Sequence, residues 1–203
     1  SNLSPSRSGA EILEDIANER RSHIDTTPLD RETLRGRQAG VVLHPTSLSG
    51  GGAVGALGKS AREFVDWMVE AGLSVWQILP LNPTDRGGSP YSSFSTLSGN
   101  PLLIDLDDLH KETLITDDEL QIGSIRKTEN VSFTQAFDLK IPILRNAAKR
   151  LLEDPEHPWK HELSEFKNAA WWVDEVATFV AIKETLGGAA WWDWPSELRD
   201  RDP

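Results

Sequence analysis

The segment GSPYSSFSTLSGNPLLID, residues 88–105, joins a loop rich in turn-forming residues to a short apolar run. The prolines and glycines within it exclude a continuous helix, and residues 102–104 read as a buried strand that begins where the loop ends. Tyr91 is the only tyrosine of the chain, and beside Ser89 it offers a flat apolar face next to hydroxyl groups. This combination suits a sugar ring, and a surface turn with Tyr91 half buried as packing is the alternative.

Two strand-and-loop units precede and include this segment. A valine-rich run at residues 39–43 predicts a buried strand, and His44 follows it in a polar loop. Residues 60–71 carry apolar side chains at helical spacing, and residues 74–81, which include Gln77, predict a second strand. A strand, a helix and a parallel strand form a βαβ unit, so both polar loops are expected at the same edge of the sheet.

Composition excludes several classes of function. A net charge of −11 without a Lys/Arg cluster argues against a nucleic-acid surface. No apolar run approaches the roughly 20 residues of a membrane span, and the absence of cysteine excludes a disulfide framework and a thiolate site. The glycines of residues 50–55 match a bare GxGxxG pattern, but no acidic ribose partner follows in the frame of a dinucleotide site.

After residue 105 the pattern is helical. Thr116 with Glu119 predicts a capping box, and the acidic run between them reads as a solvated helix start rather than a metal site. Residues 137–152 and 164–183 carry apolar residues at helical spacing, with Pro142 marking a helix start or a kink.

Two further stretches stand apart by composition. Six of the eight tryptophans lie within residues 159–194, and we interpret them as buried aromatics, with a sugar-stacking platform as the alternative. Residues 1–36 form a polar amino-terminal arm and linker, with a helix predicted near residues 10–21.

Three motifs carry a resemblance to a known family: GVVLHPTSL (residues 40–48), WQILPLNPT (residues 76–84) and SPYSSFSTLSGNPLLIDL (residues 89–106). In this order and at roughly this spacing they resemble the amino-terminal part of 4-α-glucanotransferases of the amylomaltase or disproportionating-enzyme type, glycoside hydrolase family 77. The stretch from residue 167 onward is similar to the family as well, so the resemblance covers residues 37–203. It implies an α/β fold, the first part of a (β/α)₈ TIM barrel over residues 37–108, with a mainly helical insertion subdomain over residues 109–203.

The resemblance also implies a chemistry and its location. Such enzymes hold a glycosyl group covalently on an aspartate and pass it to the 4-hydroxyl of another sugar, which is a retaining double displacement. Their nucleophile, acid/base and stabilising aspartate lie in later barrel strands, so no catalytic residue is assigned within residues 1–203. Asp107 and Asp108 follow the predicted strand but have no convincing partner as an acid and a nucleophile.

Only sugar contacts and supporting residues are carried over from the family. Ser89 and Tyr91 of the SPY motif are expected to line the donor side of the cleft. Asn100 and Pro101 are expected to hold the loop. Two further polar positions near the barrel mouth are expected to support the cleft or to be satisfied structural groups: His44 and Gln77.

One turn departs from the family pattern. Many members have an aromatic residue and an acid where this chain has Arg86 and Gly88, which puts any accessory glucan contact through that turn in doubt.

The implied partners are an α-1,4-glucan or maltooligosaccharide, and the remainder of the barrel or another protein that covers the open sheet edge. No metal and no organic cofactor is implied. The expected compartment is the cytoplasm, or the plastid stroma in a plastid-bearing organism. The alternative function is a catalytically inert glucan-binding or protein-interaction module derived from the family.

Overall fold

The structure is a computed structural model that describes residues 36–126 and 129–201. The chain divides into two units, residues 1–38 and residues 39–203. The helix predicted near residues 10–21 lies outside the described residues, as does nearly all of the predicted arm. The division of residues 37–108 from residues 109–203 into barrel and insertion stays a prediction.

A βαβ unit opens the second region. Strand β1 (Gly40–Val42) pairs in parallel with strand β2 (Val75–Gln77), and helix α1 (Lys59–Glu70) lies between them in sequence. A Cβ on Gly40 would lie 2.4 Å from the Val75 carbonyl oxygen, so only glycine fits this register. Gly72, with φ of +69°, follows the last turn of α1 and ends it as predicted. The βαβ prediction is confirmed, although both strands are shorter than expected.

The faces of this small sheet are open. Val42 is 64% exposed and Val75 is 37% exposed, and no third strand pairs with them in residues 36–126 and 129–201. Phe64 of α1 meets Trp76 edge-on, with ring centroids 4.9 Å apart. The prediction that residues 39–43 form a buried strand is therefore wrong within the described structure, because few neighbours cover that strand.

The strand predicted at residues 102–104 is also wrong. Pro101–Leu103 forms a 3₁₀ helix, since proline fits its first position and the Asn100 side chain accepts a hydrogen bond from the Leu102 N–H at 3.0 Å. Leu102 is fully buried. Burial of the apolar run was predicted correctly, but its backbone conformation was not, because Pro101 and the Asn100 cap favour a 3₁₀ helix.

The remainder is helical. The helices, in chain order, are α2 (Leu106–Lys111), α3 (Asp117–Gly123), α4 (Phe133–Glu153), α5 (Trp159–Ala169), α6 (Val173–Thr185) and α7 (Ser196–Arg199). The capping box is confirmed, because the Glu119 N–H donates to Thr116 Oγ1 at 3.2 Å and the Thr116 N–H donates to Glu119 Oε2 at 2.9 Å. None of the helices in the described part of the chain has the length and apolar character that a bilayer crossing requires.

Two helix boundaries differ from expectation. The helix predicted over residues 164–183 is two helices, α5 and α6, separated at residues 170–172. Ala170 is buried there, and Trp172 packs edge-on against Phe166 with ring centroids 6.0 Å apart. No proline or glycine marks this break, which comes from side-chain packing. Pro142 lies inside α4 rather than at its start.

Helix α4 connects the βαβ region to the other helices. One core cluster joins Ala136 of α4 to Val54 and Leu102, so α4 packs under the loops that follow the strands. A second cluster joins Ile143 and Ala147 of α4 to apolar residues of α2 and of the segment before α3. This helix therefore supports the loops at the carboxyl ends of both strands.

The carboxyl-terminal tryptophans are less buried than predicted. Trp194 is 6% exposed, but Trp191 is 52%, Trp192 is 62% and Trp171 is 79% exposed. The interpretation of these tryptophans as buried aromatics is wrong for these three, which lie in the break between α5 and α6 and in the 3₁₀ helix Trp191–Asp193.

Candidate functional site

The loop that carries the SPY motif leaves the carboxyl end of β2 and is closed at its base. The Asn100 N–H donates to the Leu81 carbonyl at 2.8 Å, and Asn82 Nδ2 donates to the Ser98 carbonyl at 3.2 Å. These bonds tie the two ends of the loop together. Asn100 is buried, and its side chain caps the 3₁₀ helix that Pro101 begins, so both residues lie at the base of the loop.

The tip of the loop presents Tyr91. The Ser92 N–H donates to the Ser89 carbonyl at 3.1 Å, which closes a turn around the SPY residues. Tyr91 is 75% exposed, and its hydroxyl makes no hydrogen bond to any residue that the structure describes. The alternative of a half-buried packing tyrosine therefore fails in this structure. An exposed ring with a free hydroxyl, held on a turn, can stack on one face of a sugar and bond to a rim hydroxyl.

His44 links the loops that follow the two strands. Its Nδ1 accepts the Thr46 N–H at 3.3 Å and lies 2.8 Å from Thr46 Oγ1, and Nε2 lies 3.3 Å from the Pro80 carbonyl oxygen. The ring tautomer that accepts at Nδ1 and donates from Nε2 satisfies these contacts. His44 thus joins the segment after β1 to the segment after β2.

Gln77 is the last residue of β2 and pairs in register with Val42. Its backbone carbonyl accepts the Leu43 N–H at 3.1 Å, and its side chain is exposed. No hydrogen bond joins His44 or Gln77 to Ser89 or Tyr91 within the described ranges. The structure places His44 and Gln77 at the carboxyl ends of the strands, and Ser89 and Tyr91 on the loop that follows β2.

The turn before the SPY motif is filled by packing. Arg86 pairs with Asp138 at 2.7 Å, and its guanidinium carbon lies 5.7 Å from the centroid of the Phe137 ring. Gly88 has φ of +75°, and a Cβ there would lie 2.1 Å from the Phe133 ring. Helix α4 thus occupies the space beside this turn, which explains why a glycine stands at residue 88.

Lys140 is a supporting residue that the sequence reading missed. It is 1% exposed, and its Nζ donates to the Leu102 carbonyl at 2.6 Å. Burial lowers the pKa of Lys140 to about 8, although the negative charge of Asp105 opposes the change. The sequence did carry a signal, because Lys140 lies on the same helical stripe as the buried Ala136, Ile143 and Ala147.

Asp105 and Asp108, which follow the loop, are engaged in structure, whereas Asp107 is exposed in the first turn of α2. Asp105 Oδ1 accepts the Asp108 N–H at 3.1 Å and caps α2. Partial burial alone would raise the pKa of Asp108, but hydrogen bonds from Lys111 and Arg62 outweigh it and hold the pKa below its usual value. A general acid needs a raised pKa, so Asp108 is not suited to that role.

The acidic run at the start of α3 is a set of capping and pairing groups. A hydrogen bond from Arg150 lowers the pKa of Glu119 to about 2, and Asp117 bonds to His110 at 2.7 Å. Within residues 36–126 and 129–201 no group of three His, Asp or Glu side chains is arranged to hold a metal ion. The helix-start interpretation accounts for these contacts.

Comparison with known proteins gives a consistent result. The family model described as 4-alpha-glucanotransferase matches residues 43–203. The chloroplastic/amyloplastic 4-alpha-glucanotransferase of Arabidopsis thaliana is 43% identical over 168 residues, which are 81% of this chain and 29% of the relative. The 4-alpha-glucanotransferase of Thermus thermophilus is 38% identical over 167 residues, covering 82% of this chain and 33% of the relative.

A solved structure agrees with these relatives. The amylomaltase from Streptococcus agalactiae, solved in complex with acarbose, superposes with a TM-score of 0.75 at 37% identity. The match covers 83% of this chain and 34% of that chain. This chain therefore spans about a third of the length of the proteins it matches, and it belongs to the 4-α-glucanotransferase family, glycoside hydrolase family 77.

Proposed function

We propose that this chain supplies the first part of the (β/α)₈ barrel and part of the donor-side sugar site of a 4-α-glucanotransferase. The enzyme would transfer α-1,4-glucan segments between maltooligosaccharides by a retaining double displacement. The observation that carries the proposal is the exposed Tyr91 ring on a closed loop at the carboxyl end of β2, in a chain of this family. In (β/α)₈ enzymes the site lies at that end of the strands.

In this proposal the loop binds sugar and does not perform the chemistry. The Tyr91 ring stacks on a glucose face of the donor, and the Ser89 hydroxyl bonds to the rim of the same sugar. Asn100 fixes the base of the loop, and Lys140 holds the following 3₁₀ helix from below. His44 and Gln77 support the same edge.

The catalytic carboxylates of the proposed reaction lie outside this chain. Retaining transfer needs a nucleophile and an acid/base roughly 5 to 5.5 Å apart. Of the carboxylates that follow the loop, Asp105 caps α2 and Asp108 pairs with Arg62. The remainder of the barrel, as the partner that covers the open sheet, would bring the two catalytic groups.

The proposed setting follows from the substrate. Starch and maltodextrin are handled in the bacterial cytoplasm and in the plastid stroma, and we propose one of these compartments for this chain. The ligand is a maltooligosaccharide, and the sheet partner is protein.

The test joins this chain to the carboxyl-terminal part of the Arabidopsis relative that it does not cover. The 203-residue chain alone should release no glucose from maltotriose, and the joined protein should release it. In an inactive joined protein, Tyr91→Ala should weaken maltooligosaccharide binding by about 1 to 3 kcal/mol, the scale of a lost ring contact with a hydrogen bond.

Leu97→Ala is the matched control, since Leu97 is 50% exposed on the same loop. Its binding should equal that of the unchanged protein. Unchanged affinity after Tyr91→Ala would remove the donor-side role. Glucan binding without turnover in a joined, folded protein would favour the inert binding module instead.

A further inference from the structure

A cleft lies along α6, on the side that faces the 3₁₀ helix Trp191–Asp193 and α7. Its volume is about 780 Å³, within the range of roughly 300 to 1,000 Å³ that small-molecule sites occupy. The rings of three tryptophans and two phenylalanines line it, together with charged side chains of both signs.

The aromatic floor of the cleft is held in place. The Phe179 ring lies between Phe94 and Trp194, with centroid distances of 5.8 Å and 5.1 Å. Trp194 is buried, and its Nε1–H donates to the Ala189 carbonyl at 3.1 Å. A floor whose largest ring is fixed by packing and by a hydrogen bond is preorganised for a flat ligand.

The wall of the cleft is aromatic and exposed. The Trp191 and Trp192 rings meet edge-on, with centroids 5.9 Å apart at 78°. More than half of each side chain is open to solvent, although tryptophan is highly buried on average. Two neighbouring exposed indoles at the mouth of a cleft are an arrangement that binds a ligand with apolar faces.

The charged lining favours a neutral ligand. Glu175 pairs with Arg201 at 2.5 Å, and Arg199 pairs with Asp200 at 2.8 Å. The Asp174 carboxylate and the Lys183 ammonium have no hydrogen-bond or ion-pair partner among the residues described. An anion or a cation would meet one like charge on this wall. Asp174 lies in the first turn of α6 and Lys183 in its last turn, so a polyhydroxyl chain that runs along the helix can donate to the carboxylate at one end and accept from the ammonium group at the other.

We propose that this cleft is a second binding site for an α-glucan chain. Phe94 connects it with the SPY loop, because Phe94 lies three residues after Tyr91 and lines the cleft. The inference rests on the proposed function for the class of ligand, while the cleft itself is separate from the Tyr91 ring. A glucan that leaves the SPY loop along Phe94 would continue over Phe179 to the indoles.

The experiment is a calorimetric titration of the 203-residue chain with maltoheptaose, in a Tyr91→Ala background that removes the loop contact. This variant should still bind, and adding Trp191→Ala with Trp192→Ala should weaken binding by about tenfold, the loss expected for stacked rings. Replacing the same two residues by phenylalanine should restore most of the affinity. Trp171→Ala is the matched control, because Trp171 is 79% exposed but lies outside the cleft.

The possible outcomes separate the two proposals. Loss of all maltoheptaose binding in the Tyr91→Ala chain would overturn the proposal of a glucan site in the cleft and would still agree with a donor site on the loop. The cleft proposal is also overturned if Trp191→Ala with Trp192→Ala does not weaken maltoheptaose binding, or if Trp171→Ala weakens it equally. Equal affinity of the unchanged and Tyr91→Ala chains, with sensitivity to the cleft tryptophans, supports the cleft and counts against the role of the loop.

Discussion

Replacing Lys140 by methionine should abolish a rise in folding stability that the unchanged chain shows between about pH 8 and pH 10.5. The Lys140 ammonium is buried under the 3₁₀ helix Pro101–Leu103, with the Leu102 carbonyl as its acceptor at 2.6 Å. Burial lowers its pKa from 10.5 to about 8, and the charge of Asp105 only partly offsets this. The folded chain therefore releases this proton at a lower pH than the unfolded chain.

The sign and the size follow from proton linkage. Below pH 8 the lysine is protonated in both states, so the destabilisation caused by burying its charge is fully present. Between the folded pKa of about 8 and the unfolded pKa of 10.5, the unfolded chain holds more protons, and the free energy of unfolding rises with pH. At about 1.4 kcal/mol per pKa unit, the total rise is about 3 kcal/mol.

The assay is urea unfolding followed by tryptophan fluorescence across this pH range. The free energy of unfolding of the unchanged chain minus that of Lys140→Met should increase by about 2 to 3 kcal/mol. Lys140→Met also removes the hydrogen bond to the Leu102 carbonyl, which changes the difference between the two proteins by a constant amount at every pH. Lys149→Met is the matched control, since the Lys149 side chain is 73% exposed on the same helix. Parallel pH profiles for the unchanged chain and Lys140→Met would refute the reasoning.

Three further predictions concern other parts of the fold. Arg150 holds the folded pKa of Glu119 near 2, so the unchanged chain should lose about 1 to 3 kcal/mol of stability as the pH falls from 4.5 toward 2. Glu119→Gln should remove this loss. The test is the free energy of unfolding measured across this pH range, and the same loss in both proteins would contradict the prediction. Gly88→Ala should lower stability by about 2 to 4 kcal/mol, through the φ of +75° and the clash with Phe133. Gly72→Ala, with φ of +69° but nothing within 4 Å, should cost only about 1 kcal/mol, and equal losses in thermal unfolding would rule out the clash. The open faces of β1 and β2 should bind a hydrophobic dye, and this binding should be lost when the sheet partner is joined. A monomeric chain that binds no dye and whose strand amides resist hydrogen exchange would show that the sheet is stable without a partner.

The sequence by itself determined the features that depend on local chemistry. The apolar stripe of α1 and the glycine after it predicted that helix to within one residue, because both signals act within a single turn. The spacing of Thr116 and Glu119 predicted the start of α3 for the same reason. The three motifs predicted the family, since they preserve side chains in a fixed order.

Tertiary structure decided what depends on distant neighbours. Asn100 and Pro101 set the 3₁₀ form of the run that follows, but its burial is tertiary, because α4 packs Ala136 on Leu102 and supplies the Lys140 ammonium to the Leu102 carbonyl oxygen. The exposed indoles at Trp191 and Trp192 depend on how the end of the chain packs on α6, which no local pattern encodes. A helical or strand period shows which face of an element is apolar, whereas the surface that covers this face belongs to another part of the fold.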